Sequence, residues 1–356
     1  MTGSAAGAGG FLSLLKELWN LFLLLMRNLQ PLLVIAMLIL VAWALLSRQP
    51  WPFSISADTE HVTLDLAGDV ETNWRIDGAL LCLRAGVADL ALPPAPQPGP
   101  CPGRRWRGYD LRQLSEVALR LPGVPGNGPG YTARLDVDGL GGLAIQLDAG
   151  ARGTPAQLFA EGGDPLALPG DLLLVFPPPQ PGQALGRLLL PFSGTGSIGR
   201  DVAWHEPSLL RGGSVAVYTR SDEAAGGRDL VASTDLLPGD RIDLSQGQPA
   251  GSAVAKGFVH YDLLPEPDGP PVMRVVAFGE ADSVRIVRYG DQGYGLSPGL
   301  VARLTRHSAV ATWAVLLLSL LGLMAVYREA SEIGEGHSLS ERAAALAARW
   351  RQRRDP

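Results

Sequence analysis

The sequence predicts a membrane protein in which two transmembrane α-helices flank a mostly β extracytoplasmic region of sandwich or small-barrel modules. Three observations carry this. Asn28 to Ser47 and Ser308 to Tyr327 are uncharged and strongly apolar, and each runs to about 20 residues, the length of helix that crosses a bilayer's hydrocarbon core. Between them, short alternating apolar runs recur between Gly and Pro punctuation, the pattern of half-buried strands. Hydrophobic residues make up 46% of the 356, with a mean hydropathy of +0.13, too apolar for a disordered chain and too polar for one lying mostly inside a membrane.

Taken in order, residues 1–10 read as a disordered N-terminus and residues 11–29 as an interfacial amphipathic helix. In that helix Ser13, Lys16, Glu17, Asn20, Arg27 and Asn28 share one arc that only Leu24 interrupts, and the remaining surface is Leu, Phe, Trp and Met. Trp19 and Phe22 on this surface are candidate membrane or partner contacts. A competing reading packs the polar stripe against a partner subunit inside the membrane. Pro31 suits a kink where the chain turns inward, and residues 30–47 form the first span. Ala42, Trp43 and Ala44 resemble a signal-peptide cleavage triplet, but the apolar run before them exceeds a typical h-region, so an anchor is expected.

Residues 50–150 and 165–296 are expected to form two β-rich extracytoplasmic subdomains, divided by the Gly- and Pro-rich stretch Ala149 to Pro169. In the first, Val62, Leu64 and Leu66, then Ala133, Leu135 and Val137, then Leu143, Ile145 and Leu147 alternate as strands. In the second, the candidates are Leu172 to Phe176, Gly186 to Leu190, Val215 to Tyr218, Arg241 to Leu244, Gly257 to Tyr261, Val272 to Phe278 and Val284 to Tyr289. Asp110 to Leu121 offers a helix, although its tail also alternates. The Pro-rich runs at Pro93 to Pro102 and Pro177 to Pro181 are loops or edges, because proline removes a ladder donor.

Residues 297–307 read as a juxtamembrane helix opened by Ser297 as N-cap and Pro298 at the first helical position. Residues 308–327 form the second span. In the tail, residues 328–356, Ser338 and Glu341 make a capping box that opens an amphipathic helix. Leu339, Leu346 and Trp350 on its apolar face are candidate membrane or partner contacts, with Arg342, Arg349 and Arg353 on the flank.

Lys16 and Arg27 before the first span, and Arg328, Arg342 and the C-terminal arginines after the second, outnumber Arg48, Arg303 and Arg306 on the inner flanks. Positive flanks stay inside, so both termini are placed in the cytoplasm and the central domain outside the bacterial cytoplasmic (inner) membrane. The richness in Arg, Ala, Gly and Pro beside only Lys16 and Lys256 suggests a GC-rich bacterial genome. Cys82 and Cys101 both fall in the central region. In an oxidising compartment they are a candidate disulfide, the alternative being two thiols, since spacing alone does not bring their Cα atoms within bonding range.

Chemical motifs are few. Gly194, Gly196 and Gly199 match G-x-G-x-x-G after a strand-like run, but no helix follows to meet a pyrophosphate, so the reading is a glycine-rich turn and no cofactor is expected. Ser197 lacks the first glycine of a nucleophile elbow. His61, His205, His260, His307 and His337 are scattered, without the spacing of a metal site. His205 with Glu206 and His260 with Asp262 are the acid and imidazole neighbours. Trp51, Trp106 and Trp204 lie near arginines and read either as a partner or glycan surface or as core. The formal charge of −5 arises between the spans, which excludes a basic face for nucleic acid.

The expected partners are therefore the lipid bilayer and other membrane or envelope proteins, or a second copy. The expected function is that of a non-enzymatic scaffold or connecting subunit of an envelope complex. A sensor that transmits an extracytoplasmic signal to the tail is the first alternative. An envelope hydrolase built from residues distant in sequence is the second.

Overall fold

A computed structural model describes residues 31, 34–39, 42, 50–84, 90–96, 101–103, 105–123, 129–150, 154–160, 163–178, 187–200, 210–220, 228–244, 255–262, 271–288, 293–299, 302, 312–313, 315–323 and 325–326. The chain divides into two compact units, Arg48–Gly299, and Met1–Ser47 together with Leu300–Pro356.

In the terminal unit, residues 34–39 and 315–323 are helical, as the apolar stretches predict. Among the described residues no helix is long and apolar enough to cross a membrane. Most of both stretches, the entry helix at 11–29, the juxtamembrane segment 303–307 and the whole tail 328–356 lie outside the described residues.

The central unit is mostly β and sandwich-like. It opens with β1 (Trp51–Thr59) and β2 (His61–Ala67), followed by β3 (Thr72–Arg75), β4 (Leu80–Arg84) and β5 (Trp106–Asp110). After a single 3-10 turn at Leu111–Gln113 come β6 (Ala118–Leu121), β7 (Pro129–Val137), β8 (Leu143–Ala149), β9 (Gln157–Phe159), β10 (Leu166–Ala167) and β11 (Asp171–Phe176). The helix expected over Asp110 to Leu121 is thus a turn and a strand. Asp110 caps the turn by accepting the Arg112 N–H, and Leu119 and Leu121 alternate into the core.

The remaining strands are β12 (Arg187–Ile198), β13 (Leu210–Arg220), β14 (Arg228–Leu236), β15 (Asp240–Asp243), β16 (Ala255–Asp262), β17 (Met273–Ala281), β18 (Val284–Arg288) and β19 (Gly293–Leu296). One sheet runs β14-β13-β1-β17-β16-β12-β2-β7-β8-β11-β4-β5, and a smaller one runs β10-β9-β6-β3. Strands from residues 50–150 and 165–296 interleave in the larger sheet. β11 sits between β8 and β4, and β1 sits between β13 and β17. The stretch 149–169 is accordingly a connection that carries β9 and β10 inside one unit.

The 12-residue β12 holds the two ends of the sheet together. On one edge Arg187 to Gly194 pair with β16 and Ser197 and Ile198 pair with β15; on the other edge Gly194 to Ile198 pair with β2. β15 continues to β18 and β19, and β19 comes alongside β14. In the other direction Trp74 of β3, fully buried, donates its indole N–H to the Pro191 carbonyl at 2.8 Å. A buried indole needs such an acceptor.

Of the glycines of the G-x-G-x-x-G match, only Gly199 sits at a bend, just past the end of β12 and with a left-handed φ of 80°. Gly194 and Gly196 lie within β12, where a Cβ would overlap the carbonyl oxygens of Asp65 and Thr63 on β2. They allow two backbones to approach closely, a use of strand glycine that has nothing to do with phosphate. Ser197 follows them in the same strand.

The cores come from alternate positions. Leu64, Leu135, Ile145 and Leu174 are fully buried in the first half of the large sheet, as are Val215, Val259, Val275 and Ile286 in the second. Each such side chain contributes roughly 1.5–3 kcal/mol of burial.

Candidate interaction site

The structure joins Cys82 and Cys101, whose Cα atoms are 5.6 Å apart. Cys82 is on β4 and is fully buried. The bond fastens a proline-bearing strap along the free edge of β5. In this strap the Pro93 carbonyl accepts the Asp110 N–H at 2.8 Å, the Ala95 N–H donates to the Gly108 carbonyl at 2.9 Å, and Pro94 bridges Tyr109. Gly108 is needed beneath it, because a Cβ there would stand 3.0 Å from both the Ala95 Cβ and the Cys101 Sγ. A proline with no N–H to offer, laid over an edge strand, blocks further strand addition. Arg84 stacks over Trp106 at 5.9 Å beside the strap, so Trp106 is engaged within the fold. Trp51 is core.

Below the strap, Asp110 is the acid that fixes the turn. Its Oδ1 accepts from the Arg112 Nε at 2.8 Å and from the Arg112 backbone N–H at 3.1 Å, and its Oδ2 accepts from the Arg112 Nη2 at 2.9 Å. Hydrogen bonding by the Arg112 side chain holds this carboxyl below its ordinary value. A carboxyl whose pKa is lower folded than unfolded adds stability above its unfolded pKa and loses it as pH falls through the folded one. Asp110→Asn should therefore cost about 1–2 kcal/mol at neutral pH, and the difference from wild type should vanish below the ordinary carboxylate range. Denaturation of both proteins between neutral and strongly acidic pH measures this.

The outer face of β12, β2, β7 and β8 carries a second constellation. His61 opens β2, and the Thr59 hydroxyl brackets it by accepting the His61 N–H at 3.2 Å and donating to its carbonyl at 3.0 Å. With Nδ1 protonated, the buried ring donates to Asp136 Oδ1 at 2.6 Å while Nε2 accepts from the Thr63 hydroxyl at 3.1 Å. Acid, imidazole and hydroxyl stand in the order of a nucleophilic triad. Acyl transfer also needs donors fixed where the oxyanion forms. Thr63 is paired on both edges, with Arg134 on β7 and Ser197 on β12, so the backbone around it is committed to the ladders. Arg134, the cation opposite Thr63, is exposed and has no hydrogen bond or ion pair among the described residues to hold it. The arrangement ties β2 to β7 across the sheet.

His260 and Asp262 lie two apart on β16, with His260 opposite Arg274 and Asp262 opposite Arg187. Asp262 forms a 3.8 Å contact with Arg187. His205, Glu206 and Trp204 fall outside the described residues, as do Trp19, Phe22, Leu339, Leu346 and Trp350. Among the described residues no group of three or more His, Cys, Asp or Glu could hold a metal ion.

The His61–Asp136–Thr63 link escapes sequence reading because His61 and Asp136 are 75 residues apart. Only strand register brings them together.

Family models, curated proteins and solved structures give no match to this chain.

Proposed function

We propose that this chain is a two-span protein of the bacterial cytoplasmic membrane, a non-enzymatic connecting subunit whose β unit lies outside the membrane and holds an envelope assembly together. The observation that carries the reading is the apolar surface of the terminal unit. Leu38 and Ile39 in one described helical segment are each 63% exposed, and Leu323 in the other is 73% exposed. An exposed leucine by itself needs no explanation, but a contiguous apolar surface on an uncharged stretch of bilayer length has lipid as its fitting solvent. The disulfide supports the placement of the β unit, since such bonds persist in oxidising compartments.

The full chain expressed in bacteria should stay with the membrane fraction through alkaline carbonate and leave it in mild detergent, bringing other envelope proteins in fixed ratio. An alkaline-phosphatase fusion at Gly163 should be active, and one at the C-terminus inactive. Release by carbonate, or the opposite fusion pattern, overturns the reading.

A further inference from the structure

The outward face of the second half of the large sheet is apolar on one side and small on the other. Register sets out two neighbouring rows. In the first, Ser54 of β1 stands between Phe278 of β17 and Ala216 of β13; beyond them lie Lys256 of β16 and Ser233 of β14. In the second, Ser56 stands between Val276 and Ser214, with Phe258 and Asp235 beyond. The β16 and β17 side is thus a ridge of Phe278, Val276 and Phe258, of which Phe278 is 44% exposed. The β13 and β14 side presents Ser214, Ala216 and Ser233 as a shallow floor, closed at one end by Tyr218, whose hydroxyl lies 3.0 Å from the Ser54 Oγ, and by the exposed Leu230 opposite it.

The charges divide in the same way. Lys256 and Asp235 are exposed, and neither has a partner among the described residues. The neighbouring Arg274 and Asp58 satisfy each other at 2.8 Å. Lys256 and Asp235 lie two strands to either side of β1, roughly 19 Å apart at a strand spacing of about 4.8 Å.

We infer that this face pairs with the same face of a second copy. A two-fold axis lying in the plane between two such sheets and running near β1 exchanges the two sides. It sets β17 of one copy over β13 of the other, and β16 over β14. The apolar ridge then fills the small-residue floor, and the lone Lys256 meets the lone Asp235 of the other copy, twice. The offset of the two charges by one row tilts the axis off β1, so the strands of the two sheets cross obliquely, as aligned sheet packing does. A surface that carries both a knob and its socket, and both members of an ion pair, is self-complementary, which is what a closed two-fold interface requires. A partner of another kind would need only one half of this pattern.

The pairing goes beyond the connector reading and does not need it, because it concerns the β unit alone. Light scattering on the full chain in detergent should give a dimer. Lys256→Asp and Asp235→Lys should each weaken dimerisation about tenfold or more, and the two together should restore it, an outcome that misfolding cannot produce. All native cysteine is in the disulfide, so Ser56→Cys, close to the axis, introduces the one free thiol and should give a covalent dimer on mild oxidation. Gly163→Cys should not. A monomer at all concentrations, a dimer indifferent to the charge swaps, or failure of Ser56→Cys to cross-link overturns the inference. Each of these outcomes is separate from carbonate release, which bears only on membrane anchoring.

Discussion

Asp240→Ala is expected to lower the stability of the β unit by about 3 kcal/mol or more, measured by denaturation of the full chain in detergent. Asp240 is fully buried and is the first residue of β15. Both carboxylate oxygens are taken by Arg288 of β18, whose Nε and Nη2 each donate at 2.8 Å. The same carboxylate accepts the Leu237 N–H at 2.8 Å, while the Asp240 N–H returns to the Leu237 carbonyl at 3.0 Å. One side chain therefore closes the turn between β14 and β15 and ties β15 to β18. Removing it takes two charge-assisted hydrogen bonds from a guanidinium with 31% side-chain exposure and orphans a turn N–H, and breaking such a pair from one side costs more than the pair's net worth. Arg288 also rests over Tyr294 of β19 at 5.6 Å, so the disturbance should spread to β19. A double-mutant cycle with Arg288→Ala should show strong coupling, the double variant losing much less than the sum of the singles. A loss under about 1 kcal/mol for Asp240→Ala would show that the pair is only a surface contact.

How much of this was legible in the sequence follows from how each strand is buried. β2, β7, β8 and β11 bury one face and wet the other, so Val62-Leu64-Leu66 and its counterparts alternate visibly. β4 reads Leu-Leu-Cys-Leu because both of its faces are covered, all four residues being buried. Without alternation it carries no period to detect. β14 fails for the opposite reason: at the end of its sheet path it is largely exposed, with Asp and Ser among its residues. The turn around Pro238, Gly239 and Asp240 was readable from local chemistry, and Gly239 has the left-handed φ of 89° that such a turn requires. Its partner Arg288 was not, being 48 residues away. The strap over β5 was legible as an edge or loop from its prolines, whereas the Cys82–Cys101 bond depended on β4 and β5 being neighbours. Gly194 and Gly196 read as a turn because glycine clusters usually mark one, while their cause is a neighbouring strand.

That cause makes Gly196→Ala a severely damaging small substitution, with an expected loss of about 4 kcal/mol, or failure to fold. Gly196 holds φ at +145°, a region L side chains rarely adopt, and this alone costs on the order of 1–3 kcal/mol. The added methyl must also displace the Thr63 carbonyl and the Leu64 Cα, which lies 2.9 Å from where the Cβ would be. Neither is the flexible end of a side chain. Both belong to β2, which is clamped from its other edge by β7, so the strand cannot retreat without opening a second ladder. Overpacking of this kind adds roughly 1–3 kcal/mol. Gly212→Ala is the matched control. It sits in β13 at ordinary φ with nothing within 4 Å of the new methyl, so its stability should stay within about 0.5 kcal/mol of wild type. If the two substitutions cost the same, close approach of β12 to β2 is not what selects glycine at 196, and the sheet can relax around a side chain there. If only Gly196→Ala fails, the strand that links both ends of the large sheet depends on the missing Cβ.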